Sequence, residues 1–158
     1  MKLKFIILFC LLFIGSLGKA QTTLIPDFGE LMELLNSGEK VRIVIHYALC
    51  HWQDTSVKES VPDAVAGMDI DTYEYFAAGA VRNKIEFCVF SNSKLIQNPI
   101  GKGFVYNYGK VRINADNTVI VTAKYIHPKS FKVLMNETFV GKLNNGKNNE
   151  GIHLFVGK

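Results

Sequence analysis

The sequence predicts a mainly β protein of α+β type: an N-terminal amphipathic helix followed by an antiparallel sheet, sandwich or partly open barrel of six to eight strands. Three observations lead there. Only one segment, DFGELMELLNSG, has helical spacing; later segments alternate apolar with polar residues or run β-branched; and Gly, Asn, Asp or Pro punctuates them at short intervals. The composition agrees. Of 158 residues, 48% are hydrophobic and 20% charged, with 13 glycines and 4 prolines, which excludes collagen-like, disordered and coiled-coil classes.

The chain begins MKLKFIILFCLLFIGSLGKA, a basic start, an apolar run from Phe5 to Ile14 and a small-residue stretch ending at Ala20. This reads as a secretory signal peptide over residues 1–20, cleaved after Ala20. Its apolar core is about half of the roughly 20 residues that a spanning helix needs, and no later segment is a membrane-span candidate. The expected product is one secreted, extracellular β-rich domain over residues 21–158.

Within that domain, Asp27 is placed to cap a helix, with Glu30 three residues on, and Phe28, Leu31, Met32 and Leu35 form its apolar stripe. Gly38 ends it. VRIVIHY, residues 41–47, alternates with Val41, Ile43 and Ile45 on one face. Residues 51–67 are polar and broken by Pro62, a long loop. MDIDTYEYF, residues 68–76, reads as one half-exposed strand. KIEFCVF, residues 84–90, reads as another, with Ile85, Phe87 and Val89 sharing a face.

The second half is more regular. Residues 103–113 and 118–126, joined by Asn114-Ala115-Asp116-Asn117, form the strongest predicted hairpin. His127-Pro128 ends its second strand. Residues 130–143 fit strand or helix by period, and the neighbouring strands favour strand. LNNGKNNEG is a flexible loop, and IHLFV, residues 152–156, closes the chain.

Motifs with a mechanism are missing: the sequence has no phosphate-binding Gly loop, nucleophile elbow, HExxH or CxxC. His46 and His51 with Asp54 could form a dispersed metal site, and Asp69, Asp71 and Glu74 an acidic cluster, but neither spacing is diagnostic. Lys102, Lys110, Arg112 and Lys124 lie around Tyr106 and Tyr108, a pattern that can stack bases. Against that, the formal charge of +4 owes three lysines to the leader, leaving fifteen basic against fourteen acidic residues. That balance gives no electrostatic reason to expect nucleic acid or an anionic membrane. No cofactor is implied.

With Cys10 lost in the leader, Cys50 and Cys88 remain as an even pair in an exported chain, and a disulfide between them is expected. It would close a loop of roughly 38 residues, worth about 4 kcal/mol. Two buried free thiols are the alternative. Asn136-Glu137-Thr138 is the only sequon, making Asn136 the one candidate glycosylation site.

The order DFGELMELLNSG, VRIVIHYALC, GMDIDTYEYF, IEFCVFSNSKL, YNYGKVRINADNTVIVTAKYIHPKSFKV and GIHLF resembles that of the VirK-like family of small exported proteins, across residues 27–155. The resemblance implies an exported domain without agreed catalytic residues. The chain departs from the family pattern after FKVLMNETF, where Val140-Gly141-Lys142 stands in place of a cysteine. Two function classes follow. The first is a secreted, non-enzymatic domain that binds a protein partner or a small apolar ligand. The second is an extracellular hydrolase or metal-dependent enzyme built from dispersed His and Asp residues. The missing motifs weigh toward the first.

Overall fold

The computed structural model describes residues 22–157; the predicted leader, with Cys10, and Gln21 lie outside the described residues. Among the described residues, ten strands and one α-helix form two antiparallel sheets packed face to face, a sandwich rather than a closed barrel. The first element among the described residues is strand β1 (Thr22–Ile25), and helix α1 (Phe28–Asn36) follows it. The helix lies where its periodicity places it, but it is not the first element. TTLI is too short to show a period, and it becomes a strand because it pairs with the chain's last segment.

The smaller sheet has the order β1, β10 (Ile152–Gly157), β2 (Val41–His46) and β4 (Val65–Asp69). The larger has the order β3 (His51–Trp52), β9 (Val133–Lys142), β8 (Thr118–Ile126), β7 (Phe104–Asn114), β6 (Phe87–Gln97) and β5 (Glu74–Phe76). The single strand expected over residues 68–76 is therefore two, one in each sheet. Residues 70–73 cross between them, with Ile70 buried and its N–H donating to the Val41 carbonyl at 2.8 Å. The long loop expected over residues 51–67 contributes β3 and the start of β4. These pieces and β1 raise the strand count above the six to eight expected.

One core joins both sheets and the helix. Val41, Ile43 and Ile45 on β2 face inward beside Ile152, Leu154 and Val156 on β10. They meet two rows of the larger sheet, Phe90-Val111-Val121-Phe139 and Cys88-Ile113-Val119-Gly141. Phe28, Leu31 and Leu35 add the helix stripe. Each such side chain, fully buried, contributes about 1.5–3 kcal/mol.

Phe87 and Val89 share a face, as the alternation predicts, and it is the face turned away from the smaller sheet. Cys88 and Phe90 point into the core, while Phe87 is buried on the other side, stacked on Phe76 at 4.8 Å and covered by the Arg112 guanidinium 3.6 Å from its ring centroid.

The helix is capped as its sequence implies. The Asp27 carboxylate accepts from the Glu30 N–H at 3.0 Å, and Gly38 takes φ +83° just beyond the last turn. The β7–β8 turn adds a second cap: Asn117, held at φ +65°, accepts the Phe28 N–H on its side-chain oxygen at 2.8 Å. The Asn-rich segment after β9 is a loop held by its own hydrogen bonds. The buried Asn144 amide donates to the carbonyls of Asn148 and Glu150 and accepts from the Gly146 N–H.

Candidate functional site

The strands of the larger sheet are longer than those of the smaller, and this difference creates the most distinctive surface of the molecule. Met68 of the smaller sheet reaches Gly109 on β7, close enough that a Cβ there would lie 2.8 Å from its terminal methyl. Beyond Gly109 the β6–β7 and β8–β9 hairpins continue, and their turns, residues 98–103 and 127–132, lie side by side at one end. Ile100 is 70% exposed, Phe104 61% and Phe131 71%, with Leu95, Val133 and Leu134 also exposed at that end. Large apolar side chains exposed together at one end make this the candidate interaction surface of the molecule.

The second turn is a built structure. His127 Nδ1 accepts from the backbone N–H groups of Lys129 and Ser130 at 3.3 and 3.1 Å. The Phe131 N–H donates to the His127 carbonyl at 2.9 Å, and Phe131 is held at φ +55°, a conformation that costs a bulky side chain energy. The turn thus presents an aromatic ring outward at some expense in backbone strain.

Two open clefts flank the larger sheet. One, of about 470 Å³, lies where β5 leaves β6 and includes Tyr73, Glu74, Ser91, Tyr108 and Lys110. The other, of about 560 Å³, lies at the β3–β9 edge between Trp52, Asp54, Glu59 and residues 136–138. Trp52 stacks on Phe139 at 4.6 Å and its indole N–H donates to the Glu59 carbonyl at 2.9 Å, which fixes that cleft's wall. Both clefts are polar and open, unlike the apolar concavity that a small apolar ligand requires.

The candidate catalytic and metal residues fall apart. His46, at the end of β2, lies 5.3 Å from His153 of β10, ring centroid to centroid, so its histidine neighbour across the sheet is not the predicted His51. His51 is on β3 in the other sheet and exposed. His153 Nδ1 is buried without a hydrogen-bond partner; burial first, and then the neighbouring His46, hold its imidazole below the ordinary 6.5. Asp54 accepts from the Ser56 hydroxyl and N–H, which lower its carboxyl. Asp69 pairs with Arg42 at 2.8 Å on the surface, and Asp71 is exposed. Glu74 stands opposite Val89. Among the described residues, no three His, Cys, Asp or Glu side chains converge where they could hold an ion.

Of the basic and aromatic group, Lys110, Tyr108, Tyr106 and Lys124 share the outer face of the hairpin, while Lys102 belongs to the projecting turn. Arg112 is engaged with Phe87 and with the Asn114 side chain at 2.8 Å. Asn136 is exposed on the same outer face of β9.

The expected disulfide is absent: Cys50 and Cys88 are free, buried thiols. The register explains why. The Cys50 sulfur lies 3.1 Å from where a Cβ on Gly141 would be, whereas Cys88 is three strands away along the row through Ile113 and Val119. That is about 14 Å at the usual strand spacing, against the roughly 7 Å limit between bridged Cα atoms. Burial pushes the Cys88 thiol up to about 12 and raises Cys50 as well, with Glu150 adding to the latter.

Sequence reasoning missed the projecting end because residues 91–97, SNSKLIQ, carry too little apolar character to read as strand. The signal present was the apolar residue in each turn-forming segment, Ile100 two residues before Lys102 and Phe131 next to Lys132.

Fold and surface together define a two-sheet β-sandwich with one inserted helix and a projecting pair of hairpins. The VirK protein family model matches residues 24–131, and the chain belongs to that family. A crystal structure of a VirK family protein from Legionella pneumophila shares the fold, with a TM-score of 0.65 at 13% identity, covering 84% of this chain and 98% of that one. No curated protein matches the sequence.

Proposed function

We propose that the chain is an exported, non-enzymatic interaction domain that works through the projecting end of its larger sheet. The observation that carries this reading is the exposure of Ile100, Phe104 and Phe131 on ordered turns at one end. Export rests on the leader-like residues 1–20. The dispersed His and Asp residues supply no rival centre of comparable definition, and the open polar clefts favour a macromolecular surface over a small apolar ligand. Asn136, exposed on β9, would accept a single glycan when the chain passes through a eukaryotic secretory pathway.

Photo-crosslinking in the native host tests the interaction. A photoreactive residue at Phe104 or Phe131 gives adducts, and one at Thr122 on the mid-sheet outer face does not. Adducts confined to the Trp52 cleft, or none at the hairpin end, overturn the reading. Export is checked by intact mass, which should place the mature start at Gln21.

A further inference from the structure

We propose that the projecting hairpin end docks on an anionic lipid surface, with its turns entering the headgroup layer. The proposal rests on the interaction reading above and names its partner. The near-neutral composition conceals a separation of charge. No Asp or Glu occurs in residues 87–115 or in residues 117–136, which include both projecting turns and most of the four strands that carry them. Lys94, Lys102, Lys129 and Lys132 are exposed in or beside the turns, flanking the exposed Ile100, Phe104 and Phe131. Asp116 and Glu86 lie at the opposite end, where the β7–β8 turn donates its Ala115 N–H to the Glu86 carbonyl.

A surface that combines apolar side chains at its apex with lysines on its shoulders matches the bilayer interface in both layers. The apolar residues replace water in the headgroup–acyl boundary, and the lysines remain at the depth of the lipid phosphates. Each lysine near such a surface contributes about a fivefold factor in affinity. Nucleic acid fits less well. Single-strand binding uses aromatic platforms along a groove, whereas the exposed apolar residues here are mostly aliphatic, Leu95, Ile100, Val133 and Leu134 against Phe104 and Phe131. A bilayer also accounts for Phe131, whose strained φ of +55° aims an aromatic ring off the end of the sheet.

Flotation of the mature chain with vesicles of phosphatidylcholine alone, and of phosphatidylcholine with phosphatidylglycerol, tests the proposal. The chain should float with the phosphatidylglycerol vesicles, lose that binding as salt rises, and stay behind with phosphatidylcholine. The double variant Lys129→Gln/Lys132→Gln should bind about 25-fold more weakly, from two fivefold factors. Lys129→Arg/Lys132→Arg should bind as wild type. Ile100→Ser/Phe131→Ser should abolish flotation while leaving the melting temperature unchanged, since both side chains are exposed. Absence of binding to phosphatidylglycerol vesicles at low salt overturns the proposal, as does undiminished binding by the Ser double variant, equal binding to both vesicles, or a tip that retains nucleic acid or self-associates without floating. Protein adducts at Phe104 or Phe131 without flotation sink this proposal and leave the interaction reading standing; no adducts and no flotation sink both.

Discussion

The covered and projecting halves of the larger sheet share strands, register and hydrogen bonding, yet they obey different rules. In the covered half the inward rows Phe90-Val111-Val121-Phe139 and Cys88-Ile113-Val119-Gly141 hold no polar or charged side chain, because the smaller sheet and helix exclude water from them. In the projecting half the same strands carry Lys94, Asn107 and Tyr125 on that face, and large apolar residues appear at exposed turns instead. Stability is concentrated in the first half. In the second, Val105 is buried but its neighbours Lys94, Leu95, Phe104 and Asn107 are exposed, the kind of surface on which binding residues are found on many scaffolds.

The comparison predicts a large asymmetry in mutational cost. Phe139→Ala, at a buried position where Tyr47 and Trp52 both pack on the ring, should lose about 3–5 kcal/mol in denaturant unfolding. Phe104→Ser in the projecting half should stay within about 0.5 kcal/mol of wild type. A similar loss for both would show that the hairpin end is packed rather than presented.

A smaller but definite effect is expected at the tightest glycine of the covered region. A Cβ at Gly151 would lie 2.6 Å from the His46 carbonyl oxygen and 2.8 Å from Leu49 Cβ, so Gly151→Ala should cost about 1–3 kcal/mol. Gly101→Ala, in the projecting turn, meets only the end of the Asn98 side chain, 2.8 Å away, and should cost less, because that group can rotate aside.

Thiol reactivity sharpens the same contrast without altering packing. Native protein should react slowly with a thiol reagent at neutral pH, since burial keeps both thiols protonated, and two thiols should titrate rapidly on denaturation without reductant. Recovery of no free thiol would show a bridge and require the segment just before β3 and strand β6 to approach far more closely than the register allows. Reductant should leave the melting temperature unchanged.

The smallest effect concerns pH and lies outside both halves, on the smaller sheet. His153 is held below its ordinary 6.5, so its neutral form is the one that folding favours. Its contribution is present in full above 6.5 and is lost as pH falls through the lowered value, because the unfolded chain takes up the proton first. The melting temperature should fall with acidification in that range, and His153→Gln should remove that part of the slope.

The class of fold, the helix with its Asp27 cap and Gly38 stop, the hairpin of residues 103–113 and 118–126, and the family were all legible in the sequence. These features are local: a cap, a turn and an alternating run each bring their partners within a few residues. What tertiary structure decided was non-local. Thr22–Ile25 became a strand only because β10 returned to meet it, residues 68–76 split because two sheets competed for one segment, and Cys50 and Cys88 were kept apart by a register that no spacing rule encodes. The gathering of lysines and apolar turns at one end belongs to the same class. Composition sums charge over the whole chain, and only the pairing of β6 to β9 decides that the lysine-bearing turns share one end while Asp116 lies at the other.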